Sequence, residues 1–372
     1  MTGPGCRPAA LFCLLSLLLA ALPAGAQDKT ADAQVVNVFG WYDYVDPAVL
    51  ADFTAETGIA VRYESYSNLP MLEATLRLGA TGYDIVMPTN EPSLSSLIAD
   101  GLLARIDHDR LANWKNLDPA LMRRIEESDP GNLHGPIFLW GTLGLGIRHD
   151  KVRELAPDAP LDSFALLLDP EYAGRLQPCG ITMLDSPDDV IPSVLQYLGL
   201  PPDSRDPLDL QAVERTLMQI RPYIRSFSYD SAPKSLADGS TCLAIYYSGD
   251  VLEAKAEAAR NGIRVDYILP ETGAQVTYDV LAIPADAPHK EAAYAFIDFM
   301  LRPEVMARLT NYSRFANAVP ASHPMVEPAL LHDTDIFPTE AQLDGFFTPE
   351  PLNIGAKMTR NRLWARFKDG RG

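Results

Sequence analysis

The chain has 372 residues, of which 47% are hydrophobic and 22% charged, and this composition excludes a disordered, collagen-like or coiled-coil protein. A single hydrophobic core stops growing near ~250–300 residues, so the length predicts two lobes. The 31 basic and 49 acidic residues give a net charge of −18. This charge argues against nucleic acid or an anionic membrane as a partner and favours small cations, although solubility alone also explains it.

The chain begins with the features of a secretory signal peptide. Arg7 precedes an apolar run over residues 9–22, and Pro23 and three small residues follow. The run is shorter than the roughly 20 residues that a membrane-spanning helix needs. We therefore predict a signal peptide over residues 1–26.

From Val35 onwards, short apolar runs alternate with helical stretches, which is typical of βαβ units. The first strand is predicted over residues 35–39 and ends at Gly40. A helix follows, with Asp46 as N-cap, Pro47 in its first turn and Gly58 after its end. The other predicted elements are strands over residues 59–63, 83–87, 143–147, 180–184, 241–247 and 279–283, and long helices over 208–220 and 289–301.

Cleavage after Ala26 leaves Cys179 and Cys242 as the only cysteines, in a compartment where disulfides persist. This favours a disulfide between them, with two buried free thiols as the alternative. Neither the cysteines nor the scattered histidines have the spacing of a zinc motif. We predict no metal site and no cofactor.

Aromatic residues and carboxylates recur together at the strand ends, with almost no lysine or arginine among them. These clusters are residues 41–44, 88–91, 185–189, 246–250 and 277–279. Ligands of open α/β sheets bind beyond the carboxyl ends of the strands, so this composition predicts a cleft for an organic cation. Aromatic faces attract ammonium groups by roughly 0.5–2 kcal/mol each, and carboxylates supply the charge that a buried ammonium needs. For any one cluster, the plainer alternative is that its aspartates cap helices and its aromatic residues belong to the core.

A hydrolase is the alternative from a different functional class, with paired carboxylates such as Asp185 and Asp189 as acid and base. Against it, the sequence contains no GxSxG elbow, phosphate-binding P-loop or zinc-ligand triad. We therefore expect a binding protein and no catalytic residue.

The clusters and their order resemble the periplasmic polyamine-binding proteins of ABC importers, in particular the putrescine-binding members. The matching stretches are GWYDYV (40–45), TGI (57–59), GYDIV (82–86), WKNLDP (114–119), CG (179–180), GDV (249–251), YDV (278–280) and FANA (315–318). The resemblance implies a type II solute-binding fold, in which two α/β lobes enclose a ligand cleft. It implies an N-terminal lobe of residues 27–140 plus about 281–325, and a C-terminal lobe of residues 141–280 plus about 326–372.

The resemblance also implies a ligand-binding set that begins after the first strand. Trp41 and Tyr44 form part of an aromatic box around the methylene chain of the ligand, and Asp43 between them supplies charge. Tyr42 stands where relatives have a small hydroxyl residue. We include all four residues in the predicted site.

Carboxylates later in the chain complete this set. Asp250 and Asp279 bind one ammonium group, and Asp189, where the family usually has Glu, serves the far end. Thr89, where the putrescine binders have Ser, makes a hydrogen bond. Cys179 and Cys242 fall where close relatives have their disulfide.

Departures from the family leave the amine open between putrescine, cadaverine, spermidine and agmatine. Tyr247 stands where relatives have Trp, Phe315 where they have Tyr, and Glu91 adds a carboxylate near Thr89. The implied function is capture of such an amine in the periplasm, by a monomer, and delivery to the membrane permease of an ABC transporter, with no nucleic-acid partner. A sensor of polyamines is an alternative role.

Ferric iron is the rival ligand within this fold, because related proteins hold it with adjacent tyrosines, as in Tyr246-Tyr247. Both tyrosines are predicted to lie in a strand, where successive side chains point to opposite faces. We therefore expect only one of them to face the cleft, which disfavours iron.

Overall fold

The computed structural model describes Met1 and residues 34–370. The predicted signal peptide, residues 1–26, therefore lies outside the described residues apart from Met1. In the part of the chain that the structure describes, no helix combines the length and the hydropathy that crossing a membrane requires.

The strands of residues 34–370 form two sheets. They are β1 (Val35–Trp41), β2 (Ala60–Tyr66), β3 (Ile85–Val86), β4 (Ile137–Arg148), β5 (Ile181–Leu184), β6 (Ser226–Ser228), β7 (Leu243–Tyr247), β8 (Val265–Ile268), β9 (Gln275–Val280) and β10 (Ala316–Asn317). The first sheet is parallel, in the order β2-β1-β3. The second has the order β10-β4-β7-β5-β6, and β8 and β9 also pair with β4. All partners of β4 are antiparallel to it, while β5 is parallel to β6 and β7.

Helices connect and cover the strands. They are α1 (Pro47–Thr57), α2 (Leu69–Leu78), α3 (Ser95–Ala99), α4 (Pro119–Arg124), α5 (His149–Leu155), α6 (Ala165–Leu168), α7 (Pro170–Leu176), α8 (Pro187–Tyr197), α9 (Pro207–Ile220), α10 (Ala232–Ala237), α11 (Ser248–Arg260), α12 (Lys290–Met300), α13 (Pro303–Ser313), α14 (Pro328–Leu331), α15 (Glu340–Asp344) and α16 (Ile354–Asp369). Shorter helical turns lie at Asn90–Leu94, His108–Arg110, Trp114–Asn116, Gln177–Cys179, Arg221–Tyr223 and Pro320–Met325.

The predicted βαβ unit at the start of the fold is confirmed by β1, α1 and β2. The Asp46 carboxylate accepts from the backbone N–H of Ala48 at the start of α1, and Gly58 ends the helix with φ 74°. Val49 and Phe53 form the buried face of α1. The helices predicted over 208–220 and 289–301 are likewise confirmed, as α9 and α12.

The predicted end of the first strand at Gly40 is wrong. β1 continues through Gly40, which pairs with Ser65 of β2, and ends at Trp41. A Cβ at Gly40 would lie 2.7 Å from the sulfur of Met87 and would also meet the hydroxyl of Tyr63. Close packing, and not a turn, therefore explains the glycine at this position. Because β1 continues past Gly40, Trp41 lies at the carboxyl end of the strand.

The strand predicted over 279–283 is also misplaced. β9 begins at Gln275, and Asp279 is its last residue but one. The polar side chains of Gln275 and Thr277 concealed this strand from a search for apolar runs, although all six of its residues are buried. The other predicted strands coincide with β2, β3, β4, β5 and β7, with β3 shorter and β4 longer than expected.

The predicted disulfide between Cys179 and Cys242 is present, with the two Cα atoms 5.5 Å apart. Sheet pairing explains this proximity, because Ile181 of β5 pairs with Leu243 of β7. Each cysteine lies just before its strand, so the parallel register brings the two together.

Candidate functional site

A cavity of about 560 Å³ lies at the carboxyl ends of β1, β5, β6 and β7. Nine of the ten predicted site residues line it, namely Trp41, Tyr42, Tyr44, Thr89, Asp189, Tyr247, Asp250, Asp279 and Phe315. Asp43 is not among the described lining residues: its exposed carboxylate accepts a hydrogen bond from the Tyr312 hydroxyl. The structure thus brings together residues that are distant in the chain, as expected for a site at strand ends.

Asp279 forms one end of the cavity with two donors from the segment that follows β1. Trp41 Nε1 donates to its Oδ1 over 3.3 Å, and the Tyr44 hydroxyl donates to Oδ2. Burial raises the pKa of Asp279 to about 7, although both hydrogen bonds act to lower it. Asp279 therefore titrates near neutral pH, and an adjacent cation would favour its ionised form.

Asp250 is the second carboxylate at this end and lies in the first turn of α11. Burial, together with the nearby charges of Glu253, Asp279 and Asp43, raises the pKa of Asp250 to about 7, against a backbone hydrogen bond that lowers it. Among the described residues, no lysine or arginine pairs with Asp250 or Asp279. This end of the cavity consequently carries uncompensated negative charge.

Aromatic rings enclose the space beside these carboxylates. The rings of Tyr44 and Phe315 lie edge to face, 5.3 Å apart, and those of Trp41 and Tyr66 lie 4.6 Å apart. The Phe315 ring packs directly over Gly249, where a Cβ would overlap it. The result is an apolar sleeve that suits methylene groups, and aromatic ring faces attract an ammonium group.

Asp189 marks the other end of the cavity, in the first turn of α8. Ser186 Oγ donates to its carboxylate over 2.5 Å and Gln275 Nε2 over 2.7 Å, and the Tyr247 hydroxyl is a further partner. Burial raises the pKa of Asp189, while these hydrogen bonds oppose the rise. All three partners are neutral, so Asp189 also has no basic hydrogen-bond partner within the described residues.

β9 connects the two ends. Gln275, Thr277 and Asp279 line the cavity, as expected for alternate residues on one face of a strand. The Cα atoms of Gln275 and Asp279 are roughly 13 Å apart along an extended strand. Gln275 was missed in the sequence, and Thr277 was placed in the 277–279 cluster without being included among the site residues. The alternation of polar residues over 275–279 was the signal that identifies both.

The family model of bacterial extracellular solute-binding proteins matches residues 48–339. The chain belongs to this family. The putrescine-binding periplasmic protein SpuD of Pseudomonas aeruginosa (strain UCBPP-PA14) is 41% identical over 361 residues, which cover 96% of this chain and 98% of that protein. A putrescine/agmatine-binding protein of Pseudomonas aeruginosa (strain PAO1) is 36% identical over 363 residues, 96% of this chain and 99% of that protein.

Solved structures agree with this assignment. A putative spermidine/putrescine ABC transporter from Listeria monocytogenes has a TM-score of 0.80 and 26% identity, and the match covers 90% of this chain and 99% of that one. The predicted fold class is thereby confirmed: the solute-binding protein has the type II fold, with two α/β lobes and a cleft. The predicted lobe boundaries stay predictions.

The expectation that only one tyrosine of the pair Tyr246-Tyr247 faces the cleft is wrong, because both line the cavity of this solute-binding protein. Tyr247 is the last residue of β7 and directly precedes α11, so the alternation of a strand no longer applies there. Burial raises the pKa of both hydroxyls, which disfavours the phenolate form that binds ferric iron. Tyr246 also donates its hydroxyl to the Tyr229 carbonyl.

Asp185, the partner of Asp189 in the hydrolase alternative, is engaged elsewhere in the solute-binding protein. Trp364 Nε1 donates to one of its oxygens over 2.8 Å, and Lys368 Nζ to the other over 2.5 Å. Both donors belong to α16. Both oxygens of Asp185 are thus engaged by α16, so the geometry gives no support to a reacting carboxylate pair.

Proposed function

We propose that this solute-binding protein captures a linear di- or polyamine in the periplasm and delivers it to the permease of an ABC importer. The observation that carries the proposal is the pair of Asp279, which is buried beside Trp41 and Tyr44, and the half-buried Asp250, neither of which has a basic partner among the described residues. A buried carboxylate without a counter-charge is costly, and an ammonium group removes that cost. The names of the relatives, for putrescine and for agmatine, support the same class of ligand.

In the proposed complex, one ammonium group lies between Asp250 and Asp279, and the methylene chain passes between the aromatic rings to the far end at Asp189. Thr89 donates its hydroxyl to the Glu91 carbonyl over 3.1 Å, so its oxygen remains free to accept from the ligand. The ten predicted site residues are the proposed binding set. Within it, Asp43 acts through its charge from outside the cavity.

Lobe closure is the proposed mechanical step. We assign residues 27–140 plus about 281–325 to one lobe and residues 141–280 plus about 326–372 to the other. Trp41 and Asp250 then belong to different lobes, so a ligand that contacts both shifts the equilibrium towards the closed form. We propose that the protein performs no chemistry on the amine and needs no metal or cofactor.

Calorimetric titration of the protein, unfolded and refolded to remove any ligand carried over, tests the proposal. The titrants are putrescine, cadaverine, spermidine, agmatine and ferric citrate. We expect saturable one-to-one binding of at least one amine and no binding of ferric citrate. Absence of binding for every amine, or tight binding of ferric citrate alone, contradicts the proposal.

A further inference from the structure

The cavity holds more negative charge than a diamine neutralises. Some of its carboxylates have a basic partner: Glu73 is bonded to Arg77 over 2.8 Å and Asp185 to Lys368 over 2.5 Å. Asp188 lies near Lys357, which also lines the cavity, and near Arg360, and both positive charges act to lower its pKa. Four further buried or half-buried carboxylates that line the cavity have no basic neighbour of either kind in the described part of the chain, namely Glu91, Asp189, Asp250 and Asp279. A diamine brings two positive charges to these four groups.

Glu91 is the one of these four that the proposed function does not use. It is 8% exposed, and Ser95 Oγ donates to its Oε2 over 2.5 Å. Burial raises the pKa of Glu91, hydrogen bonds from Ser95 and Ser128 lower it, and the charges nearby are the acidic Glu127 and Glu350. A carboxylate held only by hydroxyl groups beside a cavity is placed to accept a cation.

The segment that carries Glu91 is fixed against β9. Thr89 and Asp279 form an antiparallel bridge, and the Asn90 side-chain oxygen accepts from the backbone N–H of Tyr278 over 3.0 Å. Glu91 thus lies two residues after Thr89, which faces Asp279, while Asp189 lies at the opposite end of β9, bonded to Gln275. The cavity therefore has three distinct anionic positions.

The cavity has room for a triamine as well as for a diamine. At the volume per non-hydrogen atom of liquid water, a diamine such as putrescine occupies roughly 200 Å³ and a triamine such as spermidine roughly 300 Å³. The cavity measures about 560 Å³. A buried acceptor also remains unused at one end, because Oε1 of Gln275 has no hydrogen-bond partner among the described residues.

We propose that Glu91 is a specificity-determining residue that binds a third cationic group, so that the cavity favours a linear triamine over a diamine. The inference rests on the proposed polyamine function and specifies its ligand. The two carboxylates Asp250 and Asp279 take one ammonium group, Asp189 takes another, and Glu91 takes the group that only the triamine possesses.

The test is calorimetry with spermidine and putrescine on the wild type, Glu91→Gln and Glu73→Gln. We expect the wild type to bind spermidine at least about tenfold more tightly than putrescine. Because a hydrogen bond to a charged group is lost, Glu91→Gln should lower the affinity for spermidine about ten- to hundredfold and change the affinity for putrescine less than about twofold. Glu73→Gln is the matched control, since Glu73 lines the same cavity but is already neutralised by Arg77. It should leave the ratio of the two affinities unchanged.

The outcomes separate this inference from the proposed function. If the wild type binds putrescine more tightly than spermidine, or if Glu91→Gln weakens both amines equally or neither, the inference is overturned and the polyamine function stands. If the wild type binds no amine, the polyamine function itself fails. Circular dichroism melting checks the fold of Glu91→Gln, and the wild-type preference decides the question should this variant unfold.

Discussion

Replacing Asp279 by Asn is expected to weaken the binding of amines and, at the same time, to stabilise the empty protein. The variant removes a charge from a side chain that is 7% exposed, and it keeps an oxygen that accepts from Trp41 Nε1. The two effects have one physical cause, since the charge that attracts an ammonium group is costly when no ammonium is present.

The magnitude of the stability effect follows from the pKa of Asp279. Burial raises that pKa from its ordinary value of 3.8 to about 7, so the native protein holds the proton more tightly than the unfolded chain. The stability that this proton contributes is fully present below pH ~4 and is lost as the pH rises to about 7. This difference between the native and the unfolded pKa lowers the free energy of unfolding of the wild type by about 4 kcal/mol at pH 8 and by about 2 kcal/mol at pH 5. The uncharged side chain of Asp279→Asn avoids this loss.

Urea unfolding of the ligand-free proteins at pH 5 and pH 8 measures this difference. We expect the free energy of unfolding of Asp279→Asn to exceed that of the wild type, by more at pH 8 than at pH 5. Calorimetry should show that Asp279→Asn binds the amine about ten- to hundredfold more weakly than the wild type, because one hydrogen bond to a charged group is lost. Asp230→Asn is the control, because Asp230 lines the cavity but is exposed. A variant less stable than the wild type at pH 8, or with unchanged affinity, would refute the reasoning.

Three further predictions concern the same cavity and the disulfide. Because burial raises the pKa of Asp250 and Asp279 to about 7, protonation of each carboxylate should lower the affinity for an amine about tenfold per pH unit below pH 7. A Kd that stays constant in calorimetry from pH 5.5 to 8.5 would contradict this. Tyr44→Phe removes a hydrogen bond that lowers the pKa of Asp279, so the fall in affinity should begin at a higher pH, and an unshifted profile would argue against that contact. Replacing both Cys179 and Cys242 by Ser should lower the free energy of unfolding by about 4 kcal/mol, because the disulfide closes a loop with a sequence separation of 63. Urea unfolding measures this difference, and a loss below about 1 kcal/mol would show that the loop is already restrained without the disulfide.

Elements with local signals were predictable from the sequence. Helix α1 is one example, because Asp46 and Gly58, which mark its ends, both act within a few residues of the helix. Gly40 was misassigned because its role depends on Tyr63 and Met87, which are distant in the chain and become neighbours only in the folded sheet. A glycine in a sequence does not show whether a turn or a close neighbour requires it.

The clusters that contain Asp189 and Asp250 were found because they follow apolar strands, and the family resemblance implied that these two residues and Asp279 bind the ligand. The orientation of side chains was not predictable from the sequence. Asp43 and Tyr44 are adjacent in sequence, yet the Tyr44 hydroxyl bonds to Asp279 while the Asp43 carboxylate bonds to Tyr312 at the surface. Gln275 was missed for a different reason. A buried polar residue resembles a loop in a search for apolar runs, and only the cavity beside β9 explains its presence in a strand.

The arrangement separates two kinds of selectivity. Asp250 and Asp279 favour any ligand with an ammonium group, because a neutral or anionic solute leaves both carboxylates buried without a counter-charge. The choice between a diamine and a triamine must then depend on the group that only the triamine reaches, which is Glu91 beside Thr89. Substitutions at Asp250 and Asp279 should therefore weaken the binding of all amines together, whereas substitution of Glu91 should change the order of their affinities.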